Sequence, residues 1–148
     1  MRRLLRSAAL IAAAALIAAP ASAEHRKVVD GIAINIGVVP AAQLMRTDAY
    51  ERSMHREPGA SATHHVVVGV ADAKSGAPVG DAQVALELVD PRGGTQRKAL
   101  ERGNAGGLPD YSGLFRFGWS GAYKLRVTVA RPGAAPVTST FAWTQDAF

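Results

Sequence analysis

Short apolar segments alternate with turn residues along most of the chain, at intervals of roughly ten residues, a spacing typical of β-sandwiches and β-barrels. The clearest segment is Tyr123 to Val129, where every second side chain is apolar and the side chains between them are mostly polar or small. The pattern therefore predicts an all-β fold of about seven strands. The expected strands are 32–39, 64–73, 81–90, 96–102, 111–118, 122–131 and 136–144.

The second of these segments differs from the others because it is apolar on both faces from Val66 to Ala71. A strand of this composition is expected in the middle of a sheet, with both of its faces covered by the protein or by a partner. The segment before it, 40–62, is long for a connection between strands, and long connections in compact domains are usually functional or disordered.

A tyrosine at the start of the sixth strand indicates how the core is held together. Ser120-Gly121-Ala122 leads directly into Tyr123, whose ring can be buried while its hydroxyl bonds to backbone upstream. This arrangement resembles the tyrosine corner of immunoglobulin-like sandwiches, although Leu125 stands where those domains have a disulfide cysteine. We therefore predict an immunoglobulin-like β-sandwich of about seven strands, held by packing alone. Its expected centre is Phe115, Phe117, Leu125, Phe141 and Trp143.

The first 23 residues have the composition of a secretory signal peptide. Arg2, Arg3 and Arg6 precede an apolar run of twelve residues, and Ala21-Ser22-Ala23 provides the small residues that signal peptidase requires. The run is shorter than the roughly 18–20 residues of a membrane-spanning helix, and no cysteine follows that could carry a lipid. We expect cleavage after Ala23, export to the periplasm without a membrane anchor, and one mature domain from 24 to 148.

Composition excludes several functional classes once the leader is set aside. Three of the 17 basic residues lie in the leader, which leaves 14 basic residues against 12 acidic ones and gives no indication of nucleic-acid binding. The chain has no cysteine, so disulfides and thiolate ligands are excluded. It also lacks the nucleophile elbow, zinc-protease and phosphate-loop motifs. These observations favour a binding protein over an enzyme.

Three segments show a resemblance to a known group of proteins. They are Gly76-Ala77-Pro78-Val79 with the residues up to Val84, Tyr111 to Phe115, and Gly121 to Val127. In these segments the chain resembles small exported bacterial domains of the YtkA-like and FixH-like type, over about residues 64–131. The resemblance implies a non-enzymatic envelope protein, in several cases linked to copper handling or oxidase assembly, and it transfers no catalytic residue.

The candidate metal ligands are concentrated in one stretch of the sequence. Thioether and imidazole groups together suit copper, because methionine favours Cu(I) and histidine also accepts Cu(II). Neighbouring residues in a strand point to opposite faces, so only one of the two adjacent histidines can face the preceding loop. These residues predict copper carriage or buffering. The five candidates are Met45, Met54, His55, His64 and His65.

Other interpretations of the same residues remain open. The two adjacent histidines can simply end a strand at its solvated rim, and Met45 has the spacing of a packing residue in an amphipathic turn. His25 lies beside the expected mature terminus, either as an additional copper ligand or as an exposed tail residue. The alternative function is a structural or protein-interaction module of the cell envelope, which would recruit its partner through the apolar strand Val67 to Ala71.

Overall fold

The protein forms two antiparallel sheets that pack against each other around one apolar core. The computed structural model describes residues 24–43 and 63–146. One sheet has the strand order β1-β2-β3-β7-β6 and the other has the order β5-β4-β8-β9. The strands are β1 (Arg26–Val29), β2 (Ile32–Pro40), β3 (His64–Asp72), β4 (Gln83–Val89), β5 (Thr95–Ala99), β6 (Glu101–Ala105), β7 (Leu108–Phe115), β8 (Gly121–Ala130) and β9 (Val137–Gln145). No helix within these residues is long and apolar enough to cross a membrane.

The predicted all-β sandwich is confirmed, whereas the strand count is higher than predicted. The described residues contain nine strands, because β1 precedes the first predicted strand and the segment 96–102 is divided into β5 and β6. Leu100 separates these two strands, and its side chain is buried in the core. Its backbone N–H donates to the carbonyl of Val84 at 2.8 Å. The chain therefore crosses from one sheet to the other at a single apolar residue, with no turn residue to mark the crossing.

Strand alternation builds the core from both sheets. On β4, on β8 and on β3 from Val66 onward, the inward residues are buried and apolar, while the residues between them face outward. β3 lies between β2 and β7, in the middle of the five-stranded sheet, as its two apolar faces predicted. The five residues predicted for the centre of the core all belong to it: Phe115, Phe117, Leu125 and Phe141 are buried, and Trp143 is partly buried against them.

Two buried tyrosine hydroxyls fix loops that cross the ends of the sandwich. The hydroxyl of Tyr123 donates to the carbonyl of Trp119 at 2.8 Å and accepts the Trp119 N–H at 3.0 Å. The predicted tyrosine corner is thereby confirmed. The hydroxyl of Tyr111 likewise donates to the carbonyl of Val79 and accepts the N–H of Ala82, both at 3.0 Å. Each hydroxyl satisfies two backbone groups that would otherwise be costly to bury.

Side chains of β5 connect the two sheets along one open side of the sandwich. The side-chain amide of Gln96 donates to the carbonyl of Arg116 at 2.7 Å, and its oxygen accepts the Arg116 N–H at 2.9 Å. Lys98 donates from Nζ to the carbonyl of Leu114 at 2.7 Å. These bonds fix the end of β7 and the residue that follows it, from which the chain continues to Phe117 and Trp119.

Candidate metal centre

The two histidines that begin β3 lie where the long 40–62 connection returns to the sandwich. Pro40, the last residue of β2, is paired with His64, and the N–H of Ala41 donates to the carbonyl of Thr63 at 2.9 Å. The connection therefore leaves and re-enters the sheet at one place. Three of the predicted ligands, Met45, Met54 and His55, lie outside the described residues. His64 and His65 are described.

His64 points into the sandwich and is only 6% exposed. The Nδ1 atom of its ring lies 2.8 Å from Oγ1 of Thr63, and that oxygen accepts the N–H of Phe117, also at 2.8 Å. The hydroxyl of Thr63 can donate its own proton to the lone pair of Nδ1 while it accepts this N–H. In that arrangement the neutral imidazole carries its proton on Nε2.

The ring of His64 is part of an aromatic cluster that consists of His64, Phe117, Tyr123 and Trp143. Phe117 is at its centre, with ring centroids 4.7 Å from His64, 4.7 Å from Tyr123 and 4.8 Å from Trp143. The His64 and Trp143 rings meet edge to face at 5.6 Å. Tilted and edge contacts at these distances are the favourable geometries for aromatic rings. His64 therefore acts as a core residue in this structure.

His65 points the opposite way, to the outer face of the five-stranded sheet, as the alternation along a strand requires. It is paired with Val39 on β2 and with Leu114 on β7, and it is only 1% exposed. The prediction that the two adjacent histidines cannot share a face is confirmed. Among the described residues there is no group of three or more His, Asp or Glu side chains placed to hold a metal ion.

Sequence reasoning identified the packing role of Phe117 and Trp143 but offered His64 only as a ligand or a rim residue. The sequence feature that could have shown the packing role of His64 is its two-residue spacing from Val66 and Val68. This spacing places all three side chains on the inward face of β3. The contact with Thr63 had no such signal, because it depends on where the chain enters the strand.

Burial lowers the pKa of His64 below its ordinary value. The folded protein then binds a proton at this site less readily than the unfolded chain does, so protonation favours unfolding. Stability contributed by the neutral ring is complete above the unfolded pKa of about 6.5 and is lost as pH falls below it.

We expect the free energy of unfolding to decrease as pH is lowered from about 7.5 to about 5, with His64 responsible for part of the slope. Urea denaturation across this range measures the slope. In His64→Phe this part of the slope should be absent, because the phenyl ring cannot be protonated. The matched control is His25→Ala, which removes an exposed histidine, so the difference between the two variants isolates the effect of the buried ring. Equal slopes for wild type and His64→Phe would contradict the assignment.

Comparison with known proteins shows the fold of this chain. No family model matches the sequence, and no curated protein was found as a relative. FetP of uropathogenic Escherichia coli strain F11, expressed in the periplasm, superposes with a TM-score of 0.65 at 14% identity, over 83% of this chain and 93% of FetP. A DUF4426 family protein of Pseudomonas aeruginosa gives a TM-score of 0.63 at 16% identity, over 82% and 96% of the two chains.

A third solved structure is copper-reconstituted P19 of Campylobacter jejuni. It gives a TM-score of 0.60 at 15% identity and covers 80% of this chain and 91% of P19. A copper-bound variant of FetP has also been solved. At these identities the likeness shows the shared β-sandwich. The resemblance to YtkA-like and FixH-like domains has no matching family model and stays a prediction.

Proposed function

We propose that this protein is a non-enzymatic copper carrier or copper buffer of the periplasm, exported by a leader that is cleaved after Ala23. One observation carries the proposal. The connection that contains Met45, Met54 and His55 leaves the sheet beside Pro40 and returns at Thr63, directly before the two histidines of β3. A segment with thioether and imidazole groups thus has both of its ends next to further imidazole groups.

The proposed ligands are Met54, His55 and His65, with Met45 as an additional thioether. Of the two strand histidines we choose His65, because the ring of His64 is packed against Phe117 and its Nδ1 atom is bonded to Thr63. A metal at Nδ1 of His64 would have to displace that hydroxyl. His65 lies on the outer face of β3, away from the aromatic cluster, so a metal bound there would not displace a core ring. Neutral imidazole and thioether suit Cu(I), and imidazole also accepts Cu(II).

Three further lines of reasoning support copper as the cargo. FetP and P19 share this fold and have been solved with copper bound. The sequence resemblance to YtkA-like and FixH-like domains implies the same kind of envelope role. The absence of cysteine from the chain leaves histidine and methionine as the copper ligands that it can offer.

Copper titration of the mature protein tests the proposal, with competing chromophoric chelators for Cu(I) and Cu(II). We expect tight binding of a single ion and an affinity that decreases as pH falls through the imidazole range near 6.5, since a protonated imidazole has no lone pair to donate. His55→Ala and His65→Ala should each weaken binding by more than about tenfold, and Met54→Leu should weaken Cu(I) binding more than Cu(II) binding.

Two variants serve as controls for the copper titration. His64→Phe removes a histidine that the proposal assigns to packing, and His25→Ala removes one near the expected mature terminus; both should keep wild-type affinity. The double variant His55→Ala/His65→Ala, shown to be folded by its far-ultraviolet circular dichroism, decides the question. If it retains wild-type affinity, the metal proposal is wrong, and recruitment of an envelope partner through the outer face of Val67 to Ala71 becomes the better hypothesis.

A further inference from the structure

A rigid surface corner is formed where the β4–β5 turn meets the loop before β8. In the turn, a carboxylate oxygen of Asp90 accepts the N–H of Arg92 at 2.8 Å and the N–H of Gly94 at 2.9 Å. The N–H of Gly93 donates to the carbonyl of Asp90 at 3.0 Å. An aspartate side chain that accepts N–H groups of its own turn in this way stabilises one conformation of the turn. One oxygen of the Asp90 carboxylate is therefore hydrogen-bonded to the backbone of the turn.

The other half of the corner is equally fixed. Trp119 has both its N–H and its carbonyl bonded to the buried hydroxyl of Tyr123. Gly121 has a φ of 122°, and a Cβ atom at this position would lie 3.1 Å from Pro91. Glycine is thus required there both by its backbone conformation and by the close approach of the turn. The β4–β5 turn and the loop before β8 are therefore fixed against each other in the free protein.

The exposed faces of this corner are an indole and a guanidinium group. Trp119 is 41% exposed, which is unusual for a large aromatic side chain. The Cζ atom of Arg92 lies 3.3 Å from the centroid of the Trp119 ring. Stacking on an aromatic ring occupies the face of a guanidinium and leaves its N–H groups directed outward at its edge. Within the described part of the chain, the guanidinium of Arg92 has no hydrogen bond or ion pair.

A second arginine lies beside the same corner. Nε of Arg116 is 3.2 Å from the position that a Cβ would take at Gly118, the residue before Trp119. The backbone of Arg116 is held on both sides by Gln96. Its guanidinium also has no ion pair among the described residues. The corner carries two guanidinium groups, those of Arg92 and Arg116, and one carboxylate, that of Asp90, so its net charge is positive.

We propose that Arg92, Trp119 and Arg116 form a docking site for an acidic segment of a partner protein. A stacked guanidinium with free N–H groups can bind a carboxylate through two parallel hydrogen bonds. Tryptophan and arginine are the residues most enriched at the energetic centres of protein interfaces, and a rigid site loses little entropy on binding. The corner stands on the surface, which suits an extended peptide segment better than an enclosed small molecule.

This corner lies at the end of the sandwich where β7 ends and β8 begins. β7 ends at Phe115, which is paired with His64, and β8 begins at Gly121. The corner is therefore at the same end of the sandwich as the two histidines that begin β3. A partner docked there would cover this end. The docking proposal rests on the contacts of Arg92 and Trp119 and is independent of copper binding.

Titration of the mature protein with a blocked hexaglutamate peptide tests the docking site, observed by NMR at the indole N–H of Trp119. Assignment comes from the signal that disappears in Trp119→Phe. We expect a saturable shift of this signal that weakens at high salt. Arg92→Gln should weaken the peptide affinity by more than about tenfold. Arg131→Gln, the matched loss of one charge about 30 Å away beyond the other end of β8, should leave it unchanged.

The result that would overturn the proposal is an equal effect of the Arg92 and Arg131 substitutions, since it would show only attraction to net positive charge. A saturable shift of the same size with inorganic phosphate at the same concentration would also overturn it, because the corner would then be a general anion site. Trp119→Leu gives a second variant: its backbone bonds to Tyr123 do not involve the ring, so the fold is expected to remain while peptide binding weakens.

Discussion

Replacement of Phe117 by alanine is expected to lower the free energy of unfolding by about 3–5 kcal/mol. Phe117 is fully buried, and its ring contacts those of His64, Tyr123 and Trp143. Removing it leaves a cavity whose lining is made of stiff rings that cannot collapse into the space, so the cost should be near the upper end of the range. Urea denaturation at neutral pH measures the loss.

A companion measurement separates the cavity from other effects of this change. Phe117→Leu retains most of the apolar volume and should cost less than the alanine variant. A loss below about 1 kcal/mol in Phe117→Ala would contradict the central place of this ring, since it would approach the value of about 0.5 kcal/mol or less that is usual for surface substitutions.

Leu125→Ala is expected to lower the free energy of unfolding by about 2–5 kcal/mol. Leu125 is fully buried on β8, between β4 and β9, where it is paired with Leu88 and Phe141. Tyr123→Phe, two residues away on the same face, keeps the ring but leaves the N–H and carbonyl of Trp119 without the Tyr123 hydroxyl. Its cost should be smaller, about 1–3 kcal/mol.

The order of these two losses checks the description of β8. Both residues face the core, so only the kind of contact differs: apolar volume for Leu125, and two hydrogen bonds for Tyr123. Denaturant titration of both variants gives the comparison. If Tyr123→Phe were the more destabilising change, the two hydrogen bonds of the Tyr123 hydroxyl would contribute more to stability than the packing of Leu125.

Alternation of apolar and polar residues was sufficient to predict most strands, because each sheet buries one face. It predicted β8 from Tyr123 to Val129 and the central position of β3 from its two apolar faces. It failed at Leu100, where the chain passes between sheets. Gln96 and Lys98, the residues of β5 that pair with Leu88 and Leu86, are polar and bond to the backbone at the end of β7 and just after it. Their polarity removes the apolar signal from this edge strand.

The candidate site was predictable only in part. The opposite orientation of His64 and His65 follows from strand geometry alone. Which of the two histidines is the better metal ligand does not follow from strand geometry. It depends on Thr63 and Phe117, which are far apart in the sequence and are joined by the hydrogen bond from the N–H of Phe117 to the Thr63 hydroxyl. The stacking of Arg92 on Trp119 had no sequence signal either, since it arises where the turn of the β4–β5 hairpin meets the connection from β7 to β8, which passes between the two sheets.

The hydrogen bond from Ala41 to Thr63 has a consequence for how this protein can change over evolution. Because the chain leaves and re-enters the sheet at one point, the segment between these residues can gain or lose residues without shifting the register of β2 against β3. Each doubling of such a loop adds only about 0.6 kcal/mol of closure entropy. The sandwich can therefore serve as a fixed frame into which segments with different side chains are grafted, so that new binding specificities arise without redesign of the core.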